Sequence, residues 1–195
     1  ISLDVGGNVA DTSGPSSEPQ ALTFQQALDL AVKHHSAGNL PRAESIYNQI
    51  LQADPNQPQA LHLLGVIAHQ RGDNQKSVGL IEKAIATIPD FAEAYSNLGN
   101  AFKGLGQRED AIISYYKALN LKDSLIEPYY NLGSMFQDIG KNEEAVISYK
   151  KALSLNPQHA QTHNNLGAAL KELGFLEEAL EHYRQAVTIK PEYAV

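Results

Sequence analysis

The stretch Ala94-Tyr95-Ser96-Asn97-Leu98-Gly99-Asn100 decides the fold, because it returns at a constant distance. Thirty-four residues on stands Pro128-Tyr129-Tyr130-Asn131-Leu132-Gly133-Ser134, and 34 further on Thr162-His163-Asn164-Asn165-Leu166-Gly167. Extended outward, the same register covers 24–193 as five units beginning at Phe24, Pro58, Ala92, Ile126 and Ala160. A chain that repeats at such a period stacks small units rather than closing one core.

Several positions of the register have a mechanical meaning. The seventh is Leu throughout: Leu30, Leu64, Leu98, Leu132 and Leu166. The eighth is small, as Ala31, Gly65, Gly99, Gly133 and Gly167, and so are the twentieth and most of the twenty-seventh. These let helix backbones approach, while large residues such as Tyr47, Ile81, Tyr115, Tyr149 and Tyr183 at the twenty-fourth position fill the space between them. Glycine at the fifteenth (Gly38, Gly72, Gly106, Gly140, Gly174) separates two helical apolar series and suits a left-handed helix end. Proline near the thirty-second position stops the second helix. The pattern predicts first helices over 24–37, 59–71, 93–105, 127–139 and 161–173. Second helices are predicted over 40–53, 74–87, 108–121, 142–155 and 176–189. Thr23-Phe24-Gln25-Gln26 fits a capping box.

Composition narrows the function. The chain has 195 residues, 15 Lys+Arg and 22 Asp+Glu, for a net charge of −7. Asp4, Asp11 and Glu18 precede the array, which keeps a net −4. Nucleic acid and anionic membranes call for clustered Lys and Arg, and no cluster is present. No apolar run reaches the ~18–20 residues of a membrane span. Zero cysteines excludes disulfides and thiolate sites. With no visible secretory signal, this is compatible with a cytoplasmic protein. Residues 1–22, rich in Gly, Ser and Pro, read as a flexible N-terminal segment, native or vector-derived, expected to dock in a groove of its own array or a neighbour's. The array stops at Ala194-Val195, where a sixth repeat would begin. That implies a fragment whose open C-terminal end (Leu173, Leu176, Ala179, Leu180, Val187, Ile189) is available for self-association.

Period and residues together resemble the tetratricopeptide repeat, over residues 24–193. The resemblance implies an all-α, right-handed superhelical solenoid of five helix-turn-helix repeats (24–57, 58–91, 92–125, 126–159, 160–193). It also implies a concave face lined by the first helices. The sixth position there reads Asp29, Leu63, Asn97, Asn131 and Asn165. Three asparagines one repeat apart form a ladder, and each amide can pair with the C=O and N–H of an extended peptide. Asn100, Asn164, Lys103, Lys171, Gln137 and Tyr130 add contacts, with Ser96, Ser134 and Gln161 near them. The alternative use of these asparagines is local bonding between helices.

The Ala94–Asn100 and Thr162–Gly167 segments, with Leu22-Thr23-Phe24-Gln25-Gln26-Ala27-Leu28, also resemble the repeat region of O-linked N-acetylglucosamine transferases and SPINDLY proteins. That resemblance implies repeats that hold protein substrates for a separate catalytic domain. The carboxylate clamp of chaperone-binding repeats would fall on Ser96, Asn100, Asn131, Gln161 and Asn165, which lack its cations.

No phosphate loop, nucleophile elbow, HExxH or dinucleotide fingerprint is present. His159 and His163, four apart, and His35, His62 and His69 read as solvated histidines rather than metal ligands, so no metal or cofactor is expected. The tyrosine stripe reads as core. The chain is therefore expected to be a non-catalytic module binding extended protein or peptide segments. The alternatives are a self-assembling scaffold and the repeat region of a bacterial O-GlcNAc-transferase-like enzyme.

Overall fold

A computed structural model describes residues 22–193, and all its elements are helical. The expected docking of the N-terminal segment falls on residues outside this range. The chain divides into two compact units between Asp90 and Phe91. The first holds α1 (Phe24–Ser36), α2 (Leu40–Ala53), α3 (Pro58–Gln70) and α4 (Asn74–Thr87). The second holds α5 (Ala92–Gly104), α6 (Arg108–Leu121), α7 (Ile126–Asp138), α8 (Asn142–Leu155), α9 (Ala160–Glu172) and α10 (Leu176–Ile189), then a 3-10 turn at Pro191–Tyr193. No helix among the described residues is long and apolar enough to cross a membrane.

The second helices occupy their predicted spans. The first helices of the later repeats begin one residue earlier than predicted, at the first position of the register. Pro58 shows why that position can be helical: its missing N–H is one the first turn leaves unpaired in any case. The Thr23 hydroxyl accepts from the Gln26 amide at 3.3 Å, and the Gln26 side chain accepts from the Thr23 amide at 2.9 Å, which completes the capping box. Asn39 and Asp73 cap α2 and α4 through Arg42 and Lys76 amides. The turn inside each pair needs φ of +74° at Gly106 and +75° at Gly140, values that cost a side chain roughly 1 kcal/mol or more.

In the first unit, Ala27, Leu28 and Ala31 of α1 pack on Ala43, Ile46, Tyr47 and Ile50 of α2, and Ala60, Leu64 and Ile67 of α3 close the cluster. In the second, Tyr115 and Leu119 meet Leu132 and Met135, and Tyr149 meets Leu166, Ala169 and Leu170. Close approach rests on the eighth position. A Cβ added to Gly99 would stand 2.5 Å from the Tyr115 ring, and one added to Gly133 the same distance from Tyr149.

Tyr47, Tyr115 and Tyr149 are core, but Tyr183 is only half-buried, because α10 is the last α-helix among the described residues. The apolar surface of α10 also differs from expectation. Ala179 is buried at 2 % exposure, whereas Leu176 and Leu180 are 64 % and 50 % exposed and Phe175 joins them at 53 %. Leu173, Val187 and Ile189 are half-buried.

Candidate functional site

The second unit brings most of the expected binding residues together along α5, α7 and α9. Asn97, Asn131 and Asn165 are each half-buried on successive first helices. They do not stand idle. The Asn131 amide donates to Asn100 Oδ1 at 2.9 Å, and the Tyr115 hydroxyl donates to the same oxygen at 2.8 Å. Lys103 Nζ donates to Asn131 Oδ1 at 3.2 Å, and Asn100 Nδ2 reaches Asn97 Oδ1 at 3.5 Å. This chain ties α5 to α7. Between α7 and α9, Asn165 Nδ2 donates to the Tyr130 hydroxyl at 3.4 Å. Gln161 and Asn164 donate to Asn165 Oδ1 at 3.3 and 3.5 Å.

An amide has two N–H donors and two oxygen lone pairs. After these bonds, Asn131 retains one of each, so the local pairing leaves it able to meet a peptide backbone. Asn165 already has two bonds on its oxygen. The ladder thus links helices, the local bonding open as an alternative at the sequence level, and Asn131 keeps part of its bonding capacity.

The remaining candidates divide. Lys171 is exposed, with no partner among the described residues. Gln137 accepts from the Tyr149 hydroxyl at 3.1 Å, so it anchors a core side chain as well as edging the face. Tyr130 packs against Tyr149 and, edge-on at 5.4 Å, against His159. Ser96 is buried at 5 % exposure and offers the face little. Burial pushes the Tyr47 phenol up to about 12 and raises Tyr115 and Tyr149 as well, so these phenols stay neutral donors at physiological pH.

The histidines are bonded rather than simply solvated. His159 Nδ1 accepts from the Thr162 amide and caps α9, which keeps it off the helical face of His163. His163 is buried at 9 % exposure. Its Nε2 lies 3.0 Å from the Pro157 carbonyl, an acceptor only, so that nitrogen carries the proton and Nδ1 accepts from His182 Nδ1–H at 3.0 Å. Burial, then the neighbouring His163 and Lys150, lower the pKa of His182. In the first unit His35 bonds Gln70 and His69 bonds Asn74. No group of three or more His, Cys, Asp or Glu suited to a metal stands among the described residues.

Two open pockets, each of about 230 Å³, lie at the N-terminal ends of these helices. Glu93, Ser96, Asn97, Leu125, Ile126, Glu127 and Pro128 line one; Ile126, Glu127, Tyr130, His159 and Gln161 line the other. Sequence reasoning passed over Glu93 and Glu127, since acids in the first turn of a helix are common partners of its dipole.

Residues 28–90, 92–124 and 160–193 match family models described as tetratricopeptide repeat, and 133–174 one described as TPR repeat. No curated protein sequence matches the chain. Among solved structures, a crystal structure of MamA superposes with a TM-score of 0.72 at 26% identity, covering 85% of this chain and 97% of that one. TTC0263, a thermophilic TPR protein of Thermus thermophilus, gives 0.72 at 22% identity over 88% and 97%. YrrB, described as a TPR protein with an unusual peptide-binding site, gives 0.66 at 22% identity over 87% of each chain.

Proposed function

Because the chain belongs to the tetratricopeptide-repeat proteins, we propose that it is a non-catalytic interaction module that holds an extended peptide segment along α5, α7 and α9. The observation that carries this reading is the row Asn97, Asn131, Asn165. It repeats at one register position, and Asn131 keeps a free donor and acceptor after bonding Asn100 and Lys103. Such an amide reads backbone, so it favours extended chain over a particular sequence. Each neutral bond adds about 0.5–1.5 kcal/mol net, and several rungs together give a useful affinity before ordering costs. YrrB, which shares the fold, is described with a peptide-binding site, so this scaffold can carry that chemistry.

The test is a triple Asn97→Ala, Asn131→Ala, Asn165→Ala variant titrated with extended peptides. The expected result is a loss of binding with the far-UV helical signal retained. Unchanged binding refutes the ladder.

One surface favours a second reading, self-association. Phe175, Leu176 and Leu180 expose apolar area at one end of the second unit. Light scattering against concentration tests it: a mass that stays monomeric, and is unaltered by Leu176→Glu, rejects it. The finer assignment to substrate-holding repeats of a glycosyltransferase rests on the Ala94–Asn100 and Thr162–Gly167 segments. The coding sequence beyond Val195 tests it.

A further inference from the structure

Glu127 is an acid without a counter-charge in a place where its counterpart has one. Glu93 and Glu127 hold the same register position, the second residue of α5 and of α7. Glu93 is neutralised by Lys122 Nζ at 2.7 Å. The residue corresponding to Lys122 one repeat later is Asn156, whose side chain instead accepts from the Gln158 amide at 3.0 Å. Glu127 consequently has no ion-pair or hydrogen-bond partner among the described residues. A dipole role for a first-turn acid would serve both helices equally and does not explain why one of the two lacks its lysine.

The unpaired carboxylate lies between the two pockets and lines both. On one side the apolar part of the wall is Leu125, Ile126 and Pro128, across from Glu93 with its own Lys122; on the other, Ile126, Tyr130 and His159 stand beside Gln161. An apolar wall beside an aromatic ring and a free carboxylate matches one class of side chain. Lys and Arg lay an aliphatic stem on apolar surface, place the charged head against a carboxylate, and are attracted to an aromatic face. The row of asparagines that would hold a peptide backbone runs along the same helices, one turn further on.

We infer that the pockets flanking Glu127 select a lysine or arginine side chain, next to an apolar one, in the peptide bound along α5, α7 and α9. The inference rests on the peptide-binding reading and adds the class of partner: a basic–apolar segment. It also gives a reason for the absence of a Lys122 equivalent, since a resident cation would fill the seat.

The experiment uses three labelled nonapeptides of alternating Ser and Ala with a central Leu-Lys, Leu-norleucine or Leu-Glu, titrated by fluorescence anisotropy. The Leu-Lys peptide is expected to bind about three- to tenfold tighter than the norleucine one, and the Leu-Glu peptide more weakly than either. The preference should shrink in 0.5 M salt. It should vanish in Glu127→Gln and in Asn156→Lys, which rebuilds the Lys122-type pair. Equal binding of all three peptides, with the triple asparagine variant inactive, overturns the basic-residue seat and leaves the ladder standing. A lysine preference that survives Glu127→Gln overturns the seat too. Peptide binding that ignores the triple asparagine variant, or no binding of any peptide, overturns the ladder and the seat together.

Discussion

Replacing Gly133 by alanine should destabilise the protein, against the usual effect of that change in a helix. In an exposed helix interior Gly→Ala gains about 0.8–1 kcal/mol from backbone entropy. Here the new Cβ would lie 2.5, 2.6 and 2.9 Å from three atoms of the Tyr149 ring. Tyr149 is fully buried and its hydroxyl is tied to Gln137, so the ring has little room to swing away. Overpacking of this kind costs about 1–3 kcal/mol, and a ring that moved would leave a buried hydroxyl unbonded at a similar cost. In the first repeat Ala31 holds this register position, and the buried Tyr47 hydroxyl has no hydrogen-bond partner. Set against the entropy gain, the net loss should reach about 2 kcal/mol, or up to roughly 8 °C in Tm for a chain of this size. Urea unfolding followed by circular dichroism measures it. Gly79 provides the opposing control: it sits inside α4 with nothing within 4 Å of an added Cβ. Gly79→Ala should therefore stabilise by about 0.8–1 kcal/mol. A Gly133→Ala protein as stable as the parent would refute the close-packing argument.

Other consequences follow from the same packing. Leu132→Ala removes a side chain that is 1 % exposed and should cost about 2–5 kcal/mol in urea unfolding through the cavity it leaves. The alkaline limb of stability should follow the buried phenols. Tyr47 is raised to about 12 from 10 by burial, so its contribution is complete below pH 10 and is lost as pH climbs from 10 through 12. Absorbance titration near 295 nm should accordingly show Tyr47, Tyr115 and Tyr149 still protonated at pH 10.5 in the folded protein; a full complement of phenolate at that pH would contradict their burial.

How much was legible in the sequence varied with the range of the interaction. Leu98, Gly99 and Gly106 announce helix, close approach and left-handed turn, and the structure places all three in those roles, because each depends on the backbone or on a partner at constant register. The asparagine row was legible as a row, but not its bonding. Whether Asn131 meets Asn100 or a ligand depends on the gap between α5 and α7, residues 31 apart in the chain and 2.9 Å apart in space. The His163–His182 contact was invisible for the same reason, as neither residue repeats and their approach follows from how α10 lies on α9. Glu127 looked like any first-turn acid until Lys122 was found on Glu93 and nothing equivalent on its neighbour.

The sequence by itself determined the period, the paired helices of each repeat and their small-on-large packing, since these are local preferences repeated five times and reinforced by a constant neighbour. Only the tertiary structure decided which amides are used up, which phenols are bonded and which carboxylate lacks a partner. Hydrogen bonds and ion pairs form over about 3 Å, and a register that fixes helices to within a residue does not fix side-chain tips that closely.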